Sequence, residues 1–333
     1  MTRDLRMADR RRLLAAAAAA LGPVLGATAQ RVRAADAPWP QRPIQLVVAF
    51  AAGGAGDLVA RLVARRLGEA LGQPVVIDNK PIPVAAVQSV ARARPDGQTW
   101  LMAGSGTALT ESLFQHLPYR LMEDFVHVST LASFDLALVT GAGSGLRSVA
   151  DVLAAARARP GQLNIGTVRI GSTQNLTAEL FRAMTGIDVT LVPFRTTGEL
   201  VTALRSREVQ IGFEIVPAVL GQIRSQALTA LAVTSTRRFA GLPDVPPLAE
   251  AGVPGFESSS WNGIAVPAGT PAAIVGRIHQ EIGRALALPD VQQGLLEQGA
   301  IGQASPPGAM ATRMRADIAK WRAVIERAGI PRT

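Results

Sequence analysis

Short apolar runs along this chain alternate with stretches whose apolar residues recur three and four positions apart. Residues 44–50 form the first run. A glycine-rich turn, Gly53-Gly54-Ala55-Gly56, follows it, and Leu58, Val59, Leu62, Val63, Leu67 and Leu71 then recur at helical spacing. The same grammar predicts strands at 75–77, 99–102 and 131–140 and a helix at 85–94. Beyond the glycine segment 141–145 it predicts helices at 147–158, 171–184, 197–205 and 218–224, interleaved with strands at 163–167, 189–193, 209–214 and 229–234. A strand at 258–266 and helices over 271–286, 289–298 and 307–328 close the chain. The prolines that open these helices cost little, because the first helical N–H groups have no internal partner.

Such alternation predicts an α/β fold with parallel-rich sheets covered by helices. Two passages, at 141–145 and 258–266, divide it into two lobes with a cleft between them, a common place for a small ligand. Lobe 1 is then 38–140 and 259–333, and lobe 2 is 141–258.

Residues 1–29 have the pattern of a cleavable export signal: Arg10-Arg11-Arg12, an apolar Leu13 to Ala20 run and the small triplet Ala27-Thr28-Ala29. Cleavage after Ala29 is expected, with Ala35-Asp36-Ala37 as a second site. Arg11-Arg12 before two leucines also fits a twin-arginine signal. Removal takes five arginines and two aspartates, so the formal charge falls by three, from +9 to +6. The positive balance favours small anions over cations. It does not indicate nucleic acid, since one tyrosine and four tryptophans give no stacking platform for bases. Cysteine is absent, which excludes disulfides and thiol nucleophiles.

Little else can carry chemistry. Histidine is confined to His116, His127 and His279, with no zinc-ligand spacing, and no serine is centred in Gly-x-Ser-x-Gly. The turn from Phe50 through Ala52, Gly53, Gly54 and Gly56 to Asp57 joins a strand to a helix start, where free N–H groups can hold an anion. Gly171-Ser172-Thr173 has the same setting in the second lobe, although Ser172 or Thr173 can also simply cap its helix. Ser105-Gly106-Thr107 is a third candidate turn. Arg169 and Arg195 can pair with a carboxylate. Glu214 can accept from an amine or hydroxyl, and Trp261 is expected to approach the cleft. Gly54-Ala55-Gly56, with Asp78 after the next strand, also imitates part of a dinucleotide fingerprint. That reading makes the chain a dinucleotide-dependent oxidoreductase, but the third glycine position holds Val59.

Several short motifs together resemble one family. They include Trp39-Pro-Gln-Arg-Pro-Ile44, Phe50-Ala-Ala-Gly-Gly-Ala-Gly-Asp57, Leu71-Gly-Gln-Pro-Val-Val76, Arg159-Pro-Gly-Gln-Leu163, Leu242-Pro-Asp-Val-Pro246 and Glu250-Ala-Gly-Val-Pro-Gly-Phe256. From about Trp39 onward the chain is similar to the extracytoplasmic solute-binding receptors of tripartite tricarboxylate transporters, the Bordetella uptake receptor type. The resemblance implies a type II periplasmic binding-protein fold, periplasmic capture of a small organic acid, lobe closure and delivery to a membrane permease. It implies no reaction and no cofactor. The expected ligand is a di- or tricarboxylate or an acidic amino acid, and the expected state is a monomer. A solute sensor no longer coupled to transport is the alternative within the family. The family's Pro-Pro-Gly-Gly turn is Ala51-Ala52-Gly53-Gly54 here, and its usual histidine, lysine and aspartate are Asn175, Arg195 and Glu214.

Overall fold

The computed structural model describes residues 39–50 and 52–333. The expected export signal and its cleavage site, together with Ala51, lie outside the described residues. The first part of the described chain runs β1 (Ile44–Val48), α1 (Ala55–Leu71), β2 (Val75–Asn79), α2 (Pro83–Ala91), β3 (Thr99–Gly104), α3 (Ser105–Leu113) and the long β4 (Phe125–Gly141). Then come α4 (Val149–Ala158), β5 (Asn164–Val168), α5 (Thr173–Thr185), β6 (Thr190–Phe194), α6 (Thr197–Ser206), β7 (Ile211–Ile215), α7 (Val216–Arg224) and β8 (Leu228–Val233). The chain closes with β9 (Ser259–Pro267), α8 (Ala272–Leu286), α9 (Pro289–Glu297), β10 (Ile301–Gly302) and α10 (Ala309–Ala328).

Hydrogen bonding links the strands in the order β2-β1-β3-β9-β4-β7-β5-β6, with β8 and β10 also paired to β4. Parallel pairs β1–β2, β1–β3, β5–β6 and β5–β7 flank antiparallel pairs of β4 with β9, β7 and β8. β4 serves both halves: residues up to Asp135 pair with β9, and those from Leu136 pair with β7. The change of partner therefore falls inside β4, ahead of the glycine segment 141–145 expected to carry the first passage. Gly141 instead ends β4 against α6, where a Cβ would lie 2.2 Å from the Leu204 carbonyl oxygen. That close approach, and the positive φ of Gly143 and Gly145, account for the glycines there.

Each half has its own core. Val47, Leu101, Ala103, Trp261, Met310 and Met314 pack together in the first. In the second, Phe181 meets Phe213 and Phe256 edge-on, with ring centroids 5.5 and 6.2 Å apart. α1 buries Val59, Val63, Leu67 and Leu71, whereas Leu58, counted in the same apolar stripe, is exposed.

Sequence pattern missed two elements. α3 was expected only as a turn, because Ser-Gly-Thr at its start is poor helix-forming sequence. Tertiary bonds support it: Ser112 Oγ, for example, lies within reach of both its own turn and the Ile318 carbonyl on α10. β10 is two residues long, too short for any periodicity.

Candidate functional site

The first turn is held by one carboxylate. Asp57 is 1% exposed. It accepts from Gly53 N–H at 2.9 Å, Arg61 Nε at 2.8 Å and Asn79 Nδ2 at 2.9 Å. Burial opposes its ionisation, but the bonds from Arg61, Gly53 and Asn79 outweigh it and hold the carboxyl below its ordinary value. Asp57 thus braces the loop from inside, and the Gly53 N–H is committed to it. Gly53 has φ 85°, the left-handed region glycine tolerates. Gly54 opens α1 with no side-chain cap, so the N–H groups of Ala55 and Gly56 begin the helix without a capping oxygen. Ala52 is exposed beside them. A Cβ on Gly56 would lie 2.4 Å from Phe50 Cζ and 2.7 Å from Asn262 Nδ2. Phe50, Asn262, Gly104, Gly106 and Thr107 line a small cavity here, of about 60 Å³.

At the α3 start the hydroxyls turn inward. Ser105 Oγ is buried and accepts from Trp261 N–H at 3.0 Å. Thr107 Oγ1 donates to Gly104 O at 2.7 Å and accepts from Gly104 N–H at 2.9 Å. Gly106 is the open member: it is exposed, and a Cβ there would meet nothing within 4 Å.

The second-lobe turn follows the same rule. Gly171, φ 75°, donates its N–H to Asn175 Oδ1 at 3.0 Å. Ser172 Oγ caps α5 by accepting from Asn175 N–H at 3.1 Å and donates to Val168 O at 2.6 Å. Thr173 is buried at the first helical position, with Gln174 after it. Glu214 is fully buried and accepts from Gln174 Nε2 at 2.6 Å, Ile215 N–H at 2.7 Å and Thr197 Oγ1 at 2.8 Å. Burial raises its carboxyl above the ordinary range against those three bonds. It ties the α5 and α6 starts together and offers no exposed surface to an amine. Arg169 and Arg195 are exposed, and the Arg195 backbone N–H donates to Glu199 at 2.9 Å.

α3 connects these places. Its Gly106 faces the first cavity, while Leu113 at its other end would touch a Cβ on Gly171 at 2.9 Å. The two stand seven positions apart on the helix, roughly 10 Å along the axis. Trp261 does not reach the cavity as expected. It is fully buried on the other face of β9, where Nε1 donates to Asp317 at 2.6 Å and the Arg313 guanidinium lies 4.9 Å above its ring. Its neighbour Asn262 takes the cavity position. Strand alternation contained that signal, since consecutive residues face opposite ways. Asn79 was also missed, because only folding brings it to the first turn, and so was Gln174, which adjoins Thr173 in sequence but is tied by folding to Glu214. Among the described residues no group of His, Cys, Asp or Glu is placed to hold a metal ion. Val59, at the third position of the dinucleotide pattern, is a fully buried part of the α1 core face.

Two α/β halves, each presenting a helix start at a glycine turn, are matched by known proteins. Residues 59–330 match the family model described as Tripartite tricarboxylate transporter family receptor. The chain belongs to this family. It is similar to Protein BugT of Bordetella pertussis, with 35% identity over 295 residues covering 87% of this chain and 90% of that protein. A solved structure described as R. palustris Rpa4515 with adipate is 35% identical, with a TM-score of 0.77 over 88% of this chain and 99% of that one. The periplasmic binding protein BugD is 26% identical, with a TM-score of 0.75 over 89% and 100% of the two chains. The fold is accordingly the two-lobed type II periplasmic binding-protein fold, in a family of solute-binding receptors.

Proposed function

We propose that this receptor captures a small organic carboxylate between its lobes in the periplasm, after loss of residues 1–29, and delivers it to a membrane permease as a monomer. The observation that carries the reading is the inward turn of the side chains at three helix starts. Asp57, Ser105, Thr107 and Ser172 all bond within the protein, as does Glu214 on β7 beside the α5 start. Backbone N–H groups at Ala55, Gly56, Gly106, Thr173 and Gln174 are left to meet an anion, aided by the partial positive charge of each helix start. Phe50 and Asn262 supply an apolar wall and an amide beside them. Adipate in the Rpa4515 structure supports a carboxylate ligand.

The lobes divide where β4 changes partners, giving 42–135 with 259–333 and 136–258. Ligand binding closes the first on the second, bringing the exposed Arg169 and Arg195 toward the ligand. No reaction follows; the protein binds and releases. Native mass spectrometry of gently purified protein, then calorimetry with mono-, di- and tricarboxylates, tests the reading. Small-angle scattering should show compaction with the tightest ligand. A panel that never binds, or a ligand-bound structure whose carboxylate touches none of the three turns, would refute it.

A further inference from the structure

A cavity of about 710 Å³ opens where β4 and β9 carry the chain between the two halves. Ser133, Asp135 and Ser259 line it from these strands. Asn262, which lines the small first-lobe cavity, stands three residues from Ser259 on β9. Odd spacing along a strand places the two side chains on opposite faces. The large cavity therefore lies behind the crossing, and none of the three glycine turns lines it. Its volume falls in the range of roughly 300–1,000 Å³ typical of small-molecule sites.

Asp135 is the unexplained group in this cavity. It is 4% exposed, and Ser235 Oγ donates to its Oδ2 at 2.7 Å. Burial raises its carboxyl above the ordinary range, against the Ser235 bond and the more distant charge of Arg237. No ion pair reaches it among the described residues. A buried carboxylate is costly unless a cation or several donors meet it. Guanidinium groups stand on the other walls, where the Glu257 carboxylate also lies. Arg237 lies in the loop after β8, and Arg313 on α10 is fixed by donating to Ser259 Oγ at 2.9 Å and by its position over Trp261.

We propose that this rear cavity binds a small zwitterion of the α-amino acid class, its ammonium on Asp135 and its carboxylate on Arg237 and Arg313. The walls come from both halves, Ser235 to Arg238 from one and Gln292 and Arg313 from the other. A bound zwitterion therefore ties the halves together behind the crossing strands. Given the proposed capture of a carboxylate in front, occupancy behind biases the lobe angle and so the affinity for that carboxylate.

Calorimetry on the full receptor tests this with glycine, L-alanine and L-glutamine as probes and propionate and propylamine as single-charge controls. At least one zwitterion should bind saturably, with propylamine at least tenfold weaker and any propionate binding unaffected by Arg237→Ala. Asp135→Asn and Arg237→Ala should each weaken it at least fivefold, while Gly56→Ala at the front turn changes it less than twofold. Circular dichroism establishes that each variant is folded. Arg237 is exposed in a loop, so its variant carries the test if Asp135→Asn does not fold. Absence of saturable zwitterion binding overturns the proposal. So does binding that survives both rear substitutions and disappears with Gly56→Ala, which would place the amino acid in the front cleft. The carboxylate titration of the unaltered receptor separately decides the front reading.

Discussion

Replacing Asp57 with Asn probes the brace that shapes the first turn. The Asn oxygen can keep the place of Oδ2, facing Gly53 N–H and Arg61, but its amide then faces the Asn79 amide, donor against donor. Losing that charge-assisted bond costs about 2 kcal/mol, and weakening the Gly53 bond about 1 kcal/mol more. Arg61 is 52% exposed, so its share is small. A total of about 3 kcal/mol corresponds to a melting shift of roughly 5 °C for about 290 residues unfolding together. The pH dependence has a definite sign. The folded Asp57 carboxyl titrates below its ordinary value of 3.8, so its contribution is full above that pH and lost as pH falls through the folded value. The gap between the two proteins should thus be widest at neutral pH and close in acid. Thermal melts from pH 3 to pH 8, with carboxylate titration at pH 7.5, provide the assay; affinity should fall at least tenfold as the turn loosens. A variant that melts within 2 °C of the parent at neutral pH and binds equally well would show that Asp57 does not set the turn.

Other substitutions separate shape from charge. Gly56→Ala should push Phe50 and Asn262 aside, costing about 1–3 kcal/mol, and calorimetry should show weaker carboxylate binding; unchanged affinity would remove this turn from the site. Gly104→Ala places a Cβ 2.0 Å from the Trp261 carbonyl oxygen, backbone that cannot rotate away, so the melt should fall further than for Gly56→Ala. Burial, helped by Arg315, lowers His127 to about 4, so the receptor should lose up to about 3 kcal/mol as pH falls from 6.5 to 4. His127→Leu should flatten that slope in pH-dependent melts, and an unchanged slope would assign it elsewhere. Arg195→Met should leave circular dichroism unchanged and weaken an anionic ligand by about 1.5–3 kcal/mol; equal affinity across the carboxylate panel would make Arg195 a solvent-facing charge.

Much of the architecture was legible as period. The apolar run before Gly53, the α1 stripe and the recurrence of strand and helix all follow from burying one face of each element, which local sequence records. Glycine turns were legible for the same reason, since left-handed φ at Gly53 and Gly171 restricts residue choice. The passage between halves was not. Nothing in the run 131–140 marks Asp135 as the last partner of β9, because partner exchange depends on strands more than 70 residues away.

At the site, the glycine turns ahead of two helix starts raised the expectation of an anion cradle, and the absence of cysteine and scarcity of histidine pointed to no other chemistry. Which polar groups face the cleft was decided by folding. Asp57, Ser105, Ser172 and Glu214 have the chemistry of ligand contacts, yet each meets an internal partner first. Asn262, one step of strand alternation from Trp261, takes the cavity position instead. Periodicity can state that neighbours on a strand oppose each other, but only the packing of β9 against α10 selects which one is buried.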